Sequence, residues 1–543
     1  MPAVESTHNG STSWRFKPSR AGVSIAVILT LFVGGCLFSL LSFSGDSPIS
    51  GLLIVINDPY YRHVTQFSFS QALLSTLLSV GLAIPLSVAM YRRQFLGKAW
   101  LTKLFSVTLV LPVLVAVFGI VAIYGNSGLL AKLAANFGGQ LPYSLYGLNG
   151  IVLAHLFFNL PYATRLLLRS LESIPVAQHH LSTMLGMTPW QKFCRVEWPR
   201  LKQQLPHCAG LVFMLCFTSF ATVMALGGGP KATTIELAIY QAIKFDFDLQ
   251  VGAVLALWQM MLCGTLVLVI HQLTQQPPVG AVEYQPLPKV KRDSAWAKFA
   301  DSIIILFAIL LVIPPLFMVV ISGLSGSLEA TLTSPTFWTA TFHSLSIASC
   351  SATIALVMAY LIVNSARQYR YQRQTLKASG LEVIGSLALV TPGLVLSTGL
   401  FLWLRTWGDA YQFAFAVVVL VNSMMALPFA IKSLSQAMDN HFSHYHALSL
   451  MLGVRNTRRC RWVDFAGLKS VFLHAFAVSF LLSLGDLSAI ALFGSQDFTT
   501  LPLYLLQLLG SYQMDAAATV SLWLFMISML LLALADQSKV NYD

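Results

Sequence analysis

Apolar residues gather into twelve runs of about 20, at roughly 21–43, 67–91, 104–124, 148–168, 206–226, 247–271, 299–322, 342–363, 383–404, 411–431, 470–492 and 513–535. Each is the length an α-helix needs to cross a bilayer. Pro or Gly inside several of them is tolerated where helices are bundled. The polar segments between the runs repeat. At an offset of 267, without a gap, Leu160-Pro161 meets Leu427-Pro428, Arg165 meets Lys432 and His179 meets His446. At the same offset Met184-Leu185-Gly186 meets Met451-Leu452-Gly453, Glu197 meets Asp464, and His207 meets His474. Leucine matches are cheap in so apolar a chain, whereas aligned Pro, Gly and His are not. The pattern predicts an all-α polytopic membrane protein of about 12 helices in two pseudo-symmetric halves, 21–271 and 299–535, with repeat cores at about 67–271 and 338–535. Residues 272–298 carry Pro277, Pro278, Pro286 and Pro288 beside Lys289, Lys291 and Arg292, and read as an extended charged linker. Because each half has an even number of helices, both enter the membrane from the same side. The repeat is then parallel, and a translocation path is expected between the halves.

Each copy of the repeat contains a polar, basic stretch of about 40 residues between apolar helices. The spacing predicts a short helix over 176–186, which Gly186 ends because glycine accepts a positive φ, and a second over 443–453, which Gly453 ends. In each, Leu181, Met184 and Leu185, or Leu448, Met451 and Leu452, form one apolar stripe. Such a stripe buries itself against the protein or against a partner. Its duplication at related positions favours a partner that comes twice.

Apolar residues make up 56% of the 543 and charged residues 10%, with mean hydropathy +0.71. That leaves too little charged surface for a soluble core of this size. The net charge of +12 is decided by its distribution. With the amino terminus inside, 28 of the 33 Lys and Arg lie on that side, leaving Arg62, Lys132, Lys231, Lys244 and Arg405 opposite. This asymmetry predicts cytoplasmic tails at 1–20 and 536–543. The positive balance therefore reports topology and not a nucleic-acid partner. Residues 21–43 follow Arg15, Lys17 and Arg20 without a small-residue cleavage site, and read as an uncleaved anchor. The seven cysteines form no CxxC, so neither a disulfide framework nor a thiolate metal site is expected.

Around Gly186 stand His180-Leu181-Ser182 before it and Val196, Trp198 and Pro199 after it; around Gly453 stand Ala447-Leu448-Ser449, then Val463, Phe465 and Ala466. This pattern resembles the EAA loop of ABC importer permeases. The family's Glu is absent from both copies, and the second copy lacks the closing Pro. Segments 216–250 (CFTSFATVMALGGGPKATTIELAIYQAIKFDFDLQ) and 483–512 (SLGDLSAIALFGSQDFTTLPLYLLQLLGSY) resemble the iron/thiamine group of these permeases, with the fused thiamine importers most similar, over about residues 20–535. The resemblance implies a type I ABC importer fold in the inner membrane. It implies two cytoplasmic ATP-binding subunits, a periplasmic substrate-binding protein and a small-molecule substrate, thiamine and its phosphates. Carried over, His180, Leu181, Ser182, Leu185, Gly186 and Pro199 in the first loop couple to the ATPase, and so do Ala447, Leu448, Ser449, Leu452 and Gly453 in the second.

No catalytic centre is expected in this chain. Gly227-Gly228-Gly229-Pro230-Lys231 imitates a phosphate loop but ends in Ala232 and has no strand before it. Gly323-Leu324-Ser325-Gly326 imitates a protease motif, with its serine in a loop just past a helix end. His441, His444 and His446 do not share one helical face, and read as polar surface, not as metal ligands. No cofactor is implied. Asp486 is the ionisable residue that a membrane helix least easily tolerates. It aligns with Ser219 or Phe220, so only one half has the acid, and it suits the passage of an aromatic cation. Asn159 and Asn422 are further candidates for the pathway. A related importer for ferric iron or another solute, or an ion-coupled secondary transporter, are the alternatives. The second predicts an acidic loop after the second helix, and residues 92–98 (RRQFLGK) lack the acid.

Overall fold

The computed structural model describes residues 20–44, 53, 55–139, 143–273, 295–389, 391–452 and 456–540. The expected linker lies mostly outside these residues, as does Gly453. The first half comprises α1 (Ala21–Phe43), α2 (Pro59–Arg92), α3 (Lys98–Val107), α4 (Val113–Tyr124), α5 (Leu148–Glu172), α6 (Val176–Met184), α7 (Trp198–Phe217), α8 (Phe220–Leu226), α9 (Ile235–Lys244) and α10 (Leu249–Leu273). The second comprises α11 (Ala295–Ser325), α12 (Pro335–Tyr371), α13 (Thr375–Gly385), α14 (Gly393–Arg405), α15 (Ala414–Met451), α16 (Lys469–Gly485), α17 (Ser488–Phe493), α18 (Leu501–Gly510) and α19 (Met514–Val540).

Among the described residues, ten helices are long and apolar enough to cross a membrane, and an eleventh span is made if the pair 189–217 and 220–226, bent by 51°, is counted as one. Each of the twelve expected runs falls on one of these or on the shorter α14, but four are broken. The third is interrupted between Val107 and Val113, and the ninth between Gly385 and Gly393. In both, the second piece starts directly after a proline, Pro112 or Pro392, whose missing N–H and fixed φ suit a helix start and not its interior. The fifth and eleventh are broken without a proline, at Thr218-Ser219 and Asp486-Leu487. The seventh begins at Ala295, inside the segment expected to be linker.

Within each half one helix triplet packs mutually, α2 with α5 and α7, and α12 with α15 and α16. The first helix of each half crosses over. Helix α1 packs on α12, α13 and α14 of the second half, and α11 packs on α2 and α4 of the first. Close backbone approach makes this possible. A Cβ on Gly399 of α14 would lie 2.8 Å from the Cys36 carbonyl oxygen of α1, and one on Gly119 of α4 would lie 2.4 Å from that of Pro315 in α11. Small residues at such crossings let backbones meet where lipid offers no hydrophobic drive. The exchange ties the halves into one bundle.

Candidate functional site

Two features repeat across the halves, a pair of loops and a pair of broken helices. In the first loop α6 ends in a Schellman motif: Met187 N–H donates to the Ser182 carbonyl and Gly186 N–H to that of Thr183, at 3.1 Å each, with Gly186 at φ +63°. A left-handed C′ residue of this kind is ordinarily glycine. Thr188 and Gln191 then form a capping box that starts a short helix, Pro189–Lys192, and a π-helical turn follows at Phe193–Glu197. The second loop has a π turn at Cys460–Phe465, in register with the first at the offset of 267. Pro199 precedes no turn; it sits in the first helical turn of α7, where a missing N–H costs little.

Both π turns deliver a buried carboxylate to an arginine at the end of the half's long helix. Glu197 takes Arg92 at 2.5 Å, and Asp464 takes Arg367 at 2.5 Å. The surroundings differ. Tyr360 donates to Asp464 at 3.2 Å, Arg459 lies 3.9 Å from it and His441 3.8 Å. His441 thus belongs to an anchor and not to open polar surface. In the first loop His179 is fully buried and its Nε2 pairs with the Tyr91 hydroxyl at 2.7 Å. Burial, helped by the charges of Lys192 and His180, pushes its pKa down to about 4, so His179 is neutral at pH 7.

The anchored loops present their apolar stripes outward. Leu181, Met184, Leu185, Leu448, Met451 and Leu452 are between 51% and 86% exposed, and Trp190 and Trp462 flank them, both exposed. His180 and Pro199 are exposed, whereas Ser182 and Ser449 are buried and bond back to the backbone of their own helices. The side chain of Ala447 lies outside the described residues. One expectation fails here. The second loop has no separate short helix at 443–453, because α15 runs on from the membrane to Met451. No proline stands where Pro175 divides α5 from α6, and position 442 is Phe.

At a helix break the carbonyls of the last turn lose their partners. Cys216 and Ser483, at equivalent positions before the two breaks, are satisfied by different amides. Gln71 of α2 donates to the Cys216 carbonyl at 3.0 Å, and Asn422 of α15 donates to the Ser483 carbonyl at 3.2 Å and to its hydroxyl at 3.0 Å. Asn159 donates to the Cys216 sulfur at 3.1 Å. Past each break, a serine of the long helix caps the next short helix: Ser68 accepts from Ile235 N–H at 3.0 Å and Ser344 from Leu501 N–H at 2.7 Å.

Asp486 therefore lies in a break and not inside a helix. Its carboxylate accepts from the Ser488 hydroxyl at 2.9 and 3.0 Å and faces the backbone N–H groups at the start of α17, a favourable place for negative charge. Lys244, from the other half, donates to the Leu492 and Gly494 carbonyls at the far end of α17, at 3.2 and 3.0 Å. Ser219, the counterpart of Asp486, makes no side-chain cap, and Phe220 is buried against Tyr240 with ring centroids 5.5 Å apart. The structure thus brings Asp486, Asn422, Asn159, Ser219 and Phe220 to the two breaks. Sequence reasoning missed Glu236, which is buried, accepts from Gln259 at 3.0 Å and lies within electrostatic reach of Asp486; its signal was an acid inside an apolar helix. A cavity of about 10 Å³ is lined by Asp486, Asn422, Ser344, Ser483 and Thr500. That holds one water at most. At this level the bundle is closed.

Residues 79–277 match the family model described as the binding-protein-dependent transport system inner membrane component. The chain is 42% identical to the thiamine transport system permease protein of Escherichia coli K12, over 94% of this chain and 95% of that protein. It is 39% identical to the protein of the same name in Haemophilus influenzae, over 94% of each, and 38% identical to that of Brucella abortus strain 2308, over 100% and 99%. Identity of this extent spans both halves, both loops and both breaks, and the chain belongs to the family of these binding-protein-dependent transport system permease proteins.

Proposed function

We propose that this chain is the inner-membrane subunit through which thiamine enters the cell, with both termini cytoplasmic. A periplasmic binding protein delivers the solute, and two ATP-binding subunits dock on the repeated loops. The observation that carries this reading is the pair of exposed apolar stripes, Leu181, Met184 and Leu185 in one loop and Leu448, Met451 and Leu452 in the other. Each stands on a buried carboxylate–arginine anchor. A partner that drew the two loops together would move α6 and the end of α15 as rigid handles. The buried ion pairs would pass that motion to α2 and α12, and through the π turns to the broken helices beyond.

Opening the bundle on the side away from the loops would then separate Lys244 from α17 and expose Asp486 between the halves. A carboxylate there favours a cationic solute. No covalent chemistry is asked of this subunit; ATP hydrolysis belongs to the partner.

Co-purification and uptake test the two parts separately. Leu185→Asp with Leu452→Asp is expected to abolish recovery of the ATP-binding subunits without lowering the melting temperature, because both positions are exposed. Full recovery would overturn the docking assignment. Asp486→Asn is expected to lower uptake of labelled thiamine in reconstituted vesicles at least tenfold. Unchanged uptake would remove Asp486 from the pathway, and uptake of ferric iron in place of thiamine would overturn the substrate.

A further inference from the structure

Lys244 ends α9, and its ammonium crosses from the first half to the second. It donates to the Leu492 carbonyl at 3.2 Å and to the Gly494 carbonyl at 3.0 Å, and stands over the Tyr411 ring, 5.3 Å from its centroid. Neither carbonyl has a backbone donor among the described residues. The ring itself is held. Asp409 accepts from the Tyr411 N–H at 3.0 Å, and Phe401 meets Tyr411 and Phe493 edge-on, with centroids 5.9 and 5.6 Å apart. Among the described residues no carboxylate forms an ion pair with Lys244. Two carbonyl oxygens and an aromatic face hold this cation. The cradle lies at the end of the bundle away from the loops, with Lys244 half-buried and Tyr411 43% exposed.

A helix end that only needs closing can be closed by backbone, and in the first half it is. There the Gly147 N–H donates to the Leu226 carbonyl, at the end of α8, at 2.8 Å. Helices α9 and α18 are both 10 residues long, and where the first ends in Lys244 the second ends in Gly510, so no lysine reaches back. The carbonyls beyond α17 are closed instead by a side chain that must leave when the halves part. Carbonyl oxygens and an aromatic face suit any positively charged nitrogen. We propose that the Leu492 and Gly494 carbonyls and the Tyr411 ring form an outer entry site for an organic cation. Lys244 occupies it as a tethered substitute while the bundle is closed. Withdrawal of the ammonium strands two carbonyls, and an incoming cation restores their partner. Helix α17 has 6 residues, a length of about 9 Å, and Asp486 stands at its other end. The cradle and the carboxylate are thus successive points for a cation along one short helix, and the returning Lys244 displaces the cation toward Asp486. The role in transport rests on the cationic solute proposed above; the affinity of the cradle for a cation does not.

Thermal unfolding of the full chain in nanodiscs tests it, with N-methylpyridinium as the probe and neutral pyridine as its control. In Lys244→Met, N-methylpyridinium is expected to raise the midpoint saturably. Its apparent affinity is expected to be at least about tenfold above that of the wild type, where the tethered ammonium competes. Lys244→Gln, which can still donate to one carbonyl, is expected to respond as well and guards against a folding defect in the methionine variant. Adding Tyr411→Leu to either is expected to weaken the probe about tenfold, the loss of one cation–π contact. Adding Tyr411→Phe is expected to keep the response. The inference is overturned if neither Lys244 variant binds the probe better than the wild type, if pyridine gives the same shift, or if Tyr411→Leu changes nothing. The midpoint reads binding alone. An unresponsive cradle therefore leaves the thiamine reading standing, and a failure of thiamine uptake leaves the cradle standing.

Discussion

The first loop hangs from a single ion pair and a histidine, and the second from a cluster, yet both hold the same kind of surface outward. Glu197 pairs with Arg92, whose side chain is 20% exposed, whereas Asp464 pairs with Arg367, whose side chain is 2% exposed, and gathers Tyr360, Arg459 and His441 besides. The first loop is a separate short helix ended by Gly186, and the second is the tail of a 38-residue helix. What the two share is an exposed triplet of apolar residues and a π turn that buries an acid. The outward face is thus held to a common specification, while the means of support has drifted. The breaks teach the same lesson, because equivalent carbonyls are satisfied by Gln71 in one half and Asn422 in the other.

The largest expected difference lies between the anchors. Asp464→Ala leaves Arg367 buried without its partner and is expected to cost about 3–5 kcal/mol. Glu197→Ala is expected to cost about half that, since Arg92 can turn toward water. Thermal unfolding in detergent reads both, and equal losses would erase the distinction between a one-arginine and a clustered anchor. At the breaks, Gln71→Leu strands the Cys216 carbonyl and is expected to cost about 1–3 kcal/mol, whereas Asn422→Leu leaves the Ser483 carbonyl the Asp486 N–H and is expected to cost less. An equal loss in both would show that the Asp486 N–H does not compensate at the second break.

Gly186→Val forces a β-branched residue into positive φ and is expected to cost about 1–2 kcal/mol, with ATPase coupling impaired. Gly186→Asn is expected to be tolerated, because Asn accepts that conformation. The strain is conformational alone, as a Cβ there would meet nothing within 4 Å. The smallest effect is one of pH. An unfolded His179 takes up a proton near pH 6.5, whereas the folded one refuses it until about 4. The folded pKa is depressed, so its contribution is whole above about pH 6.5 and declines as pH falls toward 4. Hydrogen exchange across residues 176–186 is expected to quicken from pH 7 to 5, after correction for the intrinsic rate, and the change is expected to vanish in His179→Gln.

Twelve apolar runs, the 28-to-5 charge asymmetry and the offset of 267 were legible because hydrophobic length, charge placement and repeat register are linear properties of a chain. The same holds for the stripe at Leu181, Met184 and Leu185 and for the stop at Gly186, which depend on neighbours within one or two helical turns. The continuous α15 was misread because an equivalent loop suggested an equivalent helix start, and nothing local revealed that helix geometry carries on past Phe442.

Other facts have no linear signature. Arg92 meets Glu197 across 105 positions, and Arg367 meets Asp464 across 97. Helices α1 and α11 change halves because Gly399 and Gly119 leave room for a neighbouring backbone. Asp486 was found by its cost in a membrane, but its place beside Ser488 at the start of α17, and Lys244 at the other end of that helix, follow from tertiary packing. The sequence by itself determined the membrane, the duplication and the surface kept twice. Only the tertiary structure decided how each surface is anchored and how each helix break is satisfied, because burial and partner choice come into being when distant segments pack.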